Sequence, residues 1–206
     1  MFYPVKTPWW LRRLYPSCIW EMPDDQQVVY LCFDDGPDPV ETNFVLDSLR
    51  DYGFKATFFC IGKNVIAYPE IYQRIIREGH SVGNHTHNHL SGWKVSDNAY
   101  FEDVLEASKY IESGLFRPPY GRATRFQMQC LEESGLKMKI IMWSVLSGDF
   151  DTHLTPEQCF DNVKDHLRPG AIITFHDSRK ASPRLRYALP EVLKKMAEKG
   201  LIGKGL

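Results

Sequence analysis

Short apolar runs alternate along the chain with longer stretches in which apolar residues recur every three or four positions. The runs at 28–33, 56–60, 81–85, 139–145 and 171–175 are short and rich in β-branched and aromatic residues. Such runs predict strands covered on both faces, as in a parallel sheet. Asp38-Pro39-Val40-Glu41 predicts a helix start, with an N-cap, a proline at the first helical position and a capping-box Glu; Leu46 and Leu49 continue its face to Gly53. Ile71, Ile75 and Ile76 stripe a second helix that ends at Gly79, and Phe101, Val104, Leu105 and Ile111 mark a third between Ser96 and Gly114. A fourth is expected over 124–134, closed by Gly135. Thr155-Pro156-Glu157-Gln158 opens a fifth, carrying Phe160, Val163 and Leu167. The last is expected over 183–199, with Leu185, Leu189, Val192 and Met196 inward.

Strands alternating with helices imply βα units, arranged either as a doubly wound sheet or as a barrel. With 206 residues the chain falls short of the ~250 of a full eight-stranded barrel, so a barrel here would be incomplete. No repeat or Gly/Ser linker divides the chain after about residue 25. Residues 1–25 are therefore read as an N-terminal arm packing on one domain, 26–206.

Composition changes this picture little. A hydrophobic content of 43% and an aromatic content of 13% fit a globular domain with a real core. A formal net charge of −1 gives no overall field for nucleic acid, and none is expected as a partner. The five cysteines (Cys18, Cys32, Cys60, Cys130 and Cys159) are widely spaced with no CxxC pair, so neither a cysteine zinc site nor a disulfide framework is expected. Reduced core thiols fit a cytoplasm-like compartment. The first twenty residues carry three prolines and no continuous apolar segment, so no signal peptide is expected. No stretch reaches the ~18 apolar residues of a membrane helix. Trp9, Trp10, Arg12 and Arg13 leave room for a weak peripheral membrane contact.

The candidate chemistry lies at the ends of these runs. Asp34 and Asp35 close the first strand, and neighbouring side chains there point in different directions. One could bind a metal while the other faces a substrate; the plain alternative is an Asp-Gly-Pro turn. In His85-Thr86-His87-Asn88-His89, histidines four apart share one face of a helical turn and can grip one ion, with His87 pointing away. Position 86 is Thr, so this is not the HExxH of zinc peptidases. Arg117-Pro118-Pro119-Tyr120-Gly121 reads as a rigid loop able to present the Tyr120 backbone N–H, with Arg117 able to orient a carboxylate, or as a plain connector. Asp149 and His176 each follow another run. That all of these fall just after expected strands is the main signal, because parallel α/β active sites gather at strand C-termini.

From about Val28 onward the chain resembles the polysaccharide deacetylase family, the NodB-homology domain of carbohydrate esterase family 4. The resemblance is carried by Phe33-Asp34-Asp35-Gly36-Pro37, Lys55-Ala56-Thr57-Phe58-Phe59, Gly83-Asn84-His85-Thr86-His87-Asn88-His89 and Arg117-Pro118-Pro119-Tyr120-Gly121. It implies an incomplete, distorted (β/α) barrel of seven strands. It implies Asp34 as catalytic base and Asp35, His85 and His89 as ligands of one divalent ion, zinc or alternatively cobalt. Arg117 would orient Asp34, Tyr120 would offer its N–H to the oxyanion, and Asp149 would pair with the catalytic acid His176. Pro119, Tyr120 and Phe150 would contact a carbohydrate substrate. The implied reaction is hydrolysis of the acetyl amide of an N-acetylglucosamine-containing glycan. Alternatives are a deformylase or amidase acting on a lipid-linked sugar or small amide, and an inactive glycan-binding module. Three positions depart from the family pattern: Leu146 for Asp, Phe150 for Trp and Thr174 for Leu. They are expected to bear on the sugar pocket and the acid side.

Overall fold

The computed structural model describes residues 3–23 and 26–206. Strand β1 (Val28–Asp34) runs through the middle of the sheet. On one side follow β2 (Thr57–Cys60), β3 (Ser81–Asn84), β4 (Leu115–Phe116) and β5 (Lys139–Ile140); on the other lie β7 (Ile172–His176) and β6 (Val145–Leu146). All these neighbours pair in parallel, and the seven strands curl into a half-barrel. A short β8 (Ile202–Gly203) pairs with the start of β1 outside this path.

Alternation along the strands sorts their side chains. Leu31 and Phe33 of β1, with Ile173 and Phe175 of β7, join the large outer core. That core also holds α2 (Glu41–Asp51), α7 (Pro156–Lys164) and α8 (Ser182–Glu198). Cys32, Phe59, Ile141 and Ile172 instead fill the barrel interior. Asp34 shares Cys32's face, and Thr174 and His176 share that of Ile172, so the polar strand ends point inward above this plug.

The helix ends follow their sequence signals with one exception. Thr124 and Thr155 form full capping boxes at α6 (Arg125–Glu133) and α7, and Ser96 caps α5 (Asp97–Ser108). α2 begins at Glu41, and the Glu41 side chain is drawn into an ion pair with Arg186 of α8 instead of a capping box. Asp38 still accepts from the N–H groups of Val40 and Glu41. Ile71 and Ile75 are buried on α4 (Pro69–Arg77). The short helices α1 (Trp9–Leu14) and α3 (Gly62–Ala67) carry no signal strong enough to predict.

The expected strand over 139–145 is two strands, β5 and β6, at opposite ends of the sheet. Between them the carbonyls of Ile141 and Met142 accept from the Arg117 guanidinium and are lost to a ladder. The arm lies along this seam. Lys6 bridges Val145, Ile19 bridges Ile141, and Glu21 bridges Ala171. All five cysteines are free thiols. Among the described residues no helix is long and apolar enough to cross a membrane.

Candidate metal and deacylation site

Asp34 and His176 stand in register on β1 and β7, at the C-terminal ends of the two strands. Asp34 is almost fully buried, and its Oδ1 accepts from Arg117 Nη1 at 2.8 Å. Arg117 has no exposed surface. It also donates to Thr174 Oγ1 at 3.0 Å, Ile141 O at 3.1 Å and Met142 O at 2.9 Å, while its guanidinium lies 4.1 Å from the centre of the Phe59 ring. A buried guanidinium so fully bonded holds its carboxylate in one place.

Asp35, His85 and His89 each turn one ligand atom to a common point, all within 4.8 Å of one another. The histidines are not on a helical turn as expected. They meet across a loop in which Thr86 (φ 65°) and His89 (φ 60°) are both left-handed. Asp35 (φ 82°) and Tyr120 (φ 60°) are left-handed as well, so four of the five positive-φ non-glycine residues among the described residues lie at this site. Such backbone costs energy and persists where the surroundings enforce it. Asp103 enforces part of it, accepting from the N–H groups of His87 and Asn88, while the His87 ring turns to Tyr110. Asp177 holds the other loop by accepting from Gly36 N at 3.0 Å. A Cβ at Gly36 would meet the Asp177 carboxylate at 2.1 Å, so any larger residue there would push that carboxylate off the Gly36 N–H. Sequence reasoning missed both aspartates, since neither lies in a motif that marks its partner.

The residues fit a divalent cation. Asp35 Oδ1 is buried and makes no hydrogen bond, although His89 Nε2 lies 3.1 Å away and His85 Nε2 3.7 Å away. His85 Nδ1 donates to Arg117 O at 2.7 Å, which leaves its Nε2 lone pair facing that oxygen. Burial pushes the His85 imidazole down to about 4, so it is neutral at pH 7, the form that ligates. Burial alone would raise the Asp35 carboxyl, but contact with His89 and the charges of His176, His85 and His89 hold it well below the usual carboxylate range. Two acceptors aimed at one point are reconciled by a cation between them. One carboxylate and two imidazoles suit zinc or cobalt.

On the other side Asp149, fully buried, grips His176 twice, through Nδ1 and through the backbone N–H, both at 2.8 Å. Burial lowers the imidazole's affinity for a proton, but the Asp149 carboxylate outweighs it and raises the His176 pKa to about 9. Phe150 packs edge-on against the His176 ring at 5.1 Å. Tyr3 of the arm packs on Phe150 at 4.9 Å and donates to Asp151.

A cavity of about 620 Å³ opens over these groups and is lined by Asp34, Asp35, His85, His89 and His176. Tyr120, Phe150 and Leu146 line it too; Pro119 is buried and does not. Thr174 is also absent from the wall, since its hydroxyl is turned to Arg117.

A family model described as polysaccharide deacetylase matches residues 21–139. The chain belongs to the polysaccharide deacetylase family. A peptidoglycan-N-acetylglucosamine deacetylase of Bacillus cereus is 33% identical, with 88% of this chain and 87% of that protein covered. A chitooligosaccharide deacetylase of Bradyrhizobium is 36% identical, with 72% of this chain and 70% of that protein covered. The crystal structure of a peptidoglycan N-acetylglucosamine deacetylase superposes with a TM-score of 0.87 at 29% identity, covering 97% of this chain and 95% of the other. As a member of this family the chain is a hydrolase of carbon–nitrogen bonds other than peptide bonds.

Proposed function

We propose that the protein removes the acetyl group from the nitrogen of an amino sugar in a glycan, in a reaction that depends on one divalent cation, zinc or cobalt, held by Asp35, His85 and His89. The observation that carries this reading is the pairing of Asp34 and His176 in register across β1 and β7, with the three candidate ligands beside them. When bound, the cation would polarise the amide carbonyl and acidify water. Asp34, fixed by Arg117, takes a proton from the attacking water. The Tyr120 N–H, which makes no hydrogen bond among the described residues, donates to the developing oxyanion. His176, protonated at neutral pH, delivers a proton to the departing nitrogen, which is a poor leaving group without one.

The test is turnover of N-acetylglucosamine oligosaccharides, including peptidoglycan fragments like those named for its relatives, by metal-stripped and reloaded protein. Elemental analysis accompanies it for Asp35→Ala, His85→Ala and His89→Ala. Turnover should vanish on stripping and return on reloading, and each variant should lose the ion. Stoichiometric metal in all three variants would overturn the ligand assignment.

A further inference from the structure

The cavity is far larger than an acetyl group requires. An acetyl group displaces about two waters' worth of space, ~60 Å³ at ~30 Å³ per water, against the cavity's volume of about 620 Å³. Its rim and its depth also differ in character. Trp93 and Tyr120 at the rim are 60% and 59% exposed, whereas Cys18, Trp20, Met128 and Met142 are each buried. The arm supplies much of the deep wall, with Leu11 and Tyr15 beside Cys18 and Trp20. The hydroxyl of Thr7, also in that wall, already donates to Trp143 O at 2.6 Å. The cavity also carries Tyr15, Arg122 and Lys180, but a sugar ring pushed in among Cys18, Trp20, Met128 and Met142 would set hydroxyls against apolar side chains and thiol or thioether sulfur, which is costly. The acyl group is the one apolar part of an N-acyl amino sugar, and its carbonyl carbon has to sit at the candidate metal triad, whose residues line the same cavity as Cys18, Trp20, Met128 and Met142.

We propose that this arm-lined chamber holds an N-acyl chain of medium length, so that the protein cleaves amino sugars acylated with chains longer than acetyl. This rests on the deacylase reading above and extends it to the substrate class. The balance is that of amide hydrolysis: the C–N bond breaks, water's oxygen joins the acyl carbon, and a fatty carboxylate and a free amine leave. The chamber's methionines are flexible enough to pack against chains of differing length.

The experiment compares kcat/KM of the metal-loaded full chain on glucosamine oligosaccharides carrying N-acetyl, N-butyryl, N-hexanoyl and N-octanoyl groups. Each methylene buried should raise kcat/KM by roughly fourfold until the chamber is filled. Leu11→Trp and Met128→Trp, which fill the chamber from the arm and from α6, should bring the octanoyl-to-acetyl ratio back toward unity. Both are checked for a native-like melting temperature, and either one alone suffices. Calorimetric binding of N-octanoyl and N-acetyl glucosamine to the same proteins adds a readout independent of turnover. Acetyl cleavage that falls away already at butyryl, or a ratio unmoved in folded variants, overturns the chamber. Tighter binding of the octanoyl compound with no hydrolysis of any substrate would instead leave the chamber standing and sink the deacylase reading.

Discussion

Asp34 and His176 face each other from neighbouring strands, yet they are held by different means. The base side is built from buried charge: Arg117, fully enclosed, bonds to Asp34, Thr174 and two backbone carbonyls. On the His176 side Asp149 is the anchor, its carbonyl accepting from the buried Arg184, and beyond it a run of rings leads from His176 through Phe150 to Tyr3 of the arm. Tyr3 lies outside the stretch matched by the family model, as does Phe150. A network of satisfied buried polar groups tolerates little change, because each lost partner strands another. Aromatic packing at a cavity wall can be exchanged at lower cost. Asp34, the proposed base, is thus fixed by the barrel interior, while the wall beside His176, the proposed acid, is packed by Tyr3 of the arm through Phe150.

The largest effect that would separate the two sides comes from comparing substrates. Asp34→Asn should lower cleavage of both an acetyl amide and an activated acetyl ester by about 10²–10⁴-fold, the usual range for loss of a general base. His176→Ala should damage the amide by a similar factor and spare much of the ester, whose leaving group departs without a proton. Equal damage to both substrates in both variants would erase the distinction between base and acid.

A smaller effect sharpens the acid side. With the His176 pKa raised to about 9 by Asp149, amide turnover should decline as pH rises through that value. Asp149→Asn removes the chief raising partner, so the alkaline limb should move down toward the ordinary imidazole value of 6.5. The linkage has the same sign: a raised folded-state pKa adds stability that is fully present below 6.5 and is lost as pH rises through about 9. A pH–rate profile of the two proteins checks this. An unchanged alkaline limb would mean that another group sets it.

Much of this site was legible in the sequence, and the reason is local. Asp34 and Asp35 end a strand, and His85 and His89 lie in one short loop, so sequence distance and spatial distance nearly coincide. The helical turn expected for the histidines was wrong because Asp103, from α5, holds His87 and Asn88 in a bent loop instead. The contact of Tyr3 with Asp151 spans 148 positions and has no periodic or motif signal to announce it. The split of 139–145 was hidden for a related reason, since the apolar run looks continuous until Arg117 claims its carbonyls. Local chemistry is written in neighbouring residues, whereas a partner drawn from a distant element leaves no mark on either.

Thr174 gives the finest test of the contrast, because it departs from the family pattern yet sits on the base side. Its hydroxyl accepts from Arg117 Nη1 at 3.0 Å, the same nitrogen that binds Asp34 at 2.8 Å. Thr174→Val keeps the shape and removes the acceptor, leaving a buried donor with less than its full complement of bonds. The cost expected is about 1–3 kcal/mol of stability, read from urea unfolding. Arg117 would keep Asp34 and the carbonyls of Ile141 and Met142, so the base should stay in place and kcat/KM should fall far less than in Asp34→Asn. If activity instead falls as far as in Asp34→Asn while the fold stays intact, the base is positioned through this one hydroxyl. If neither stability nor activity moves, the Thr174 bond is dispensable, and the barrel interior holds Arg117 by its remaining contacts alone.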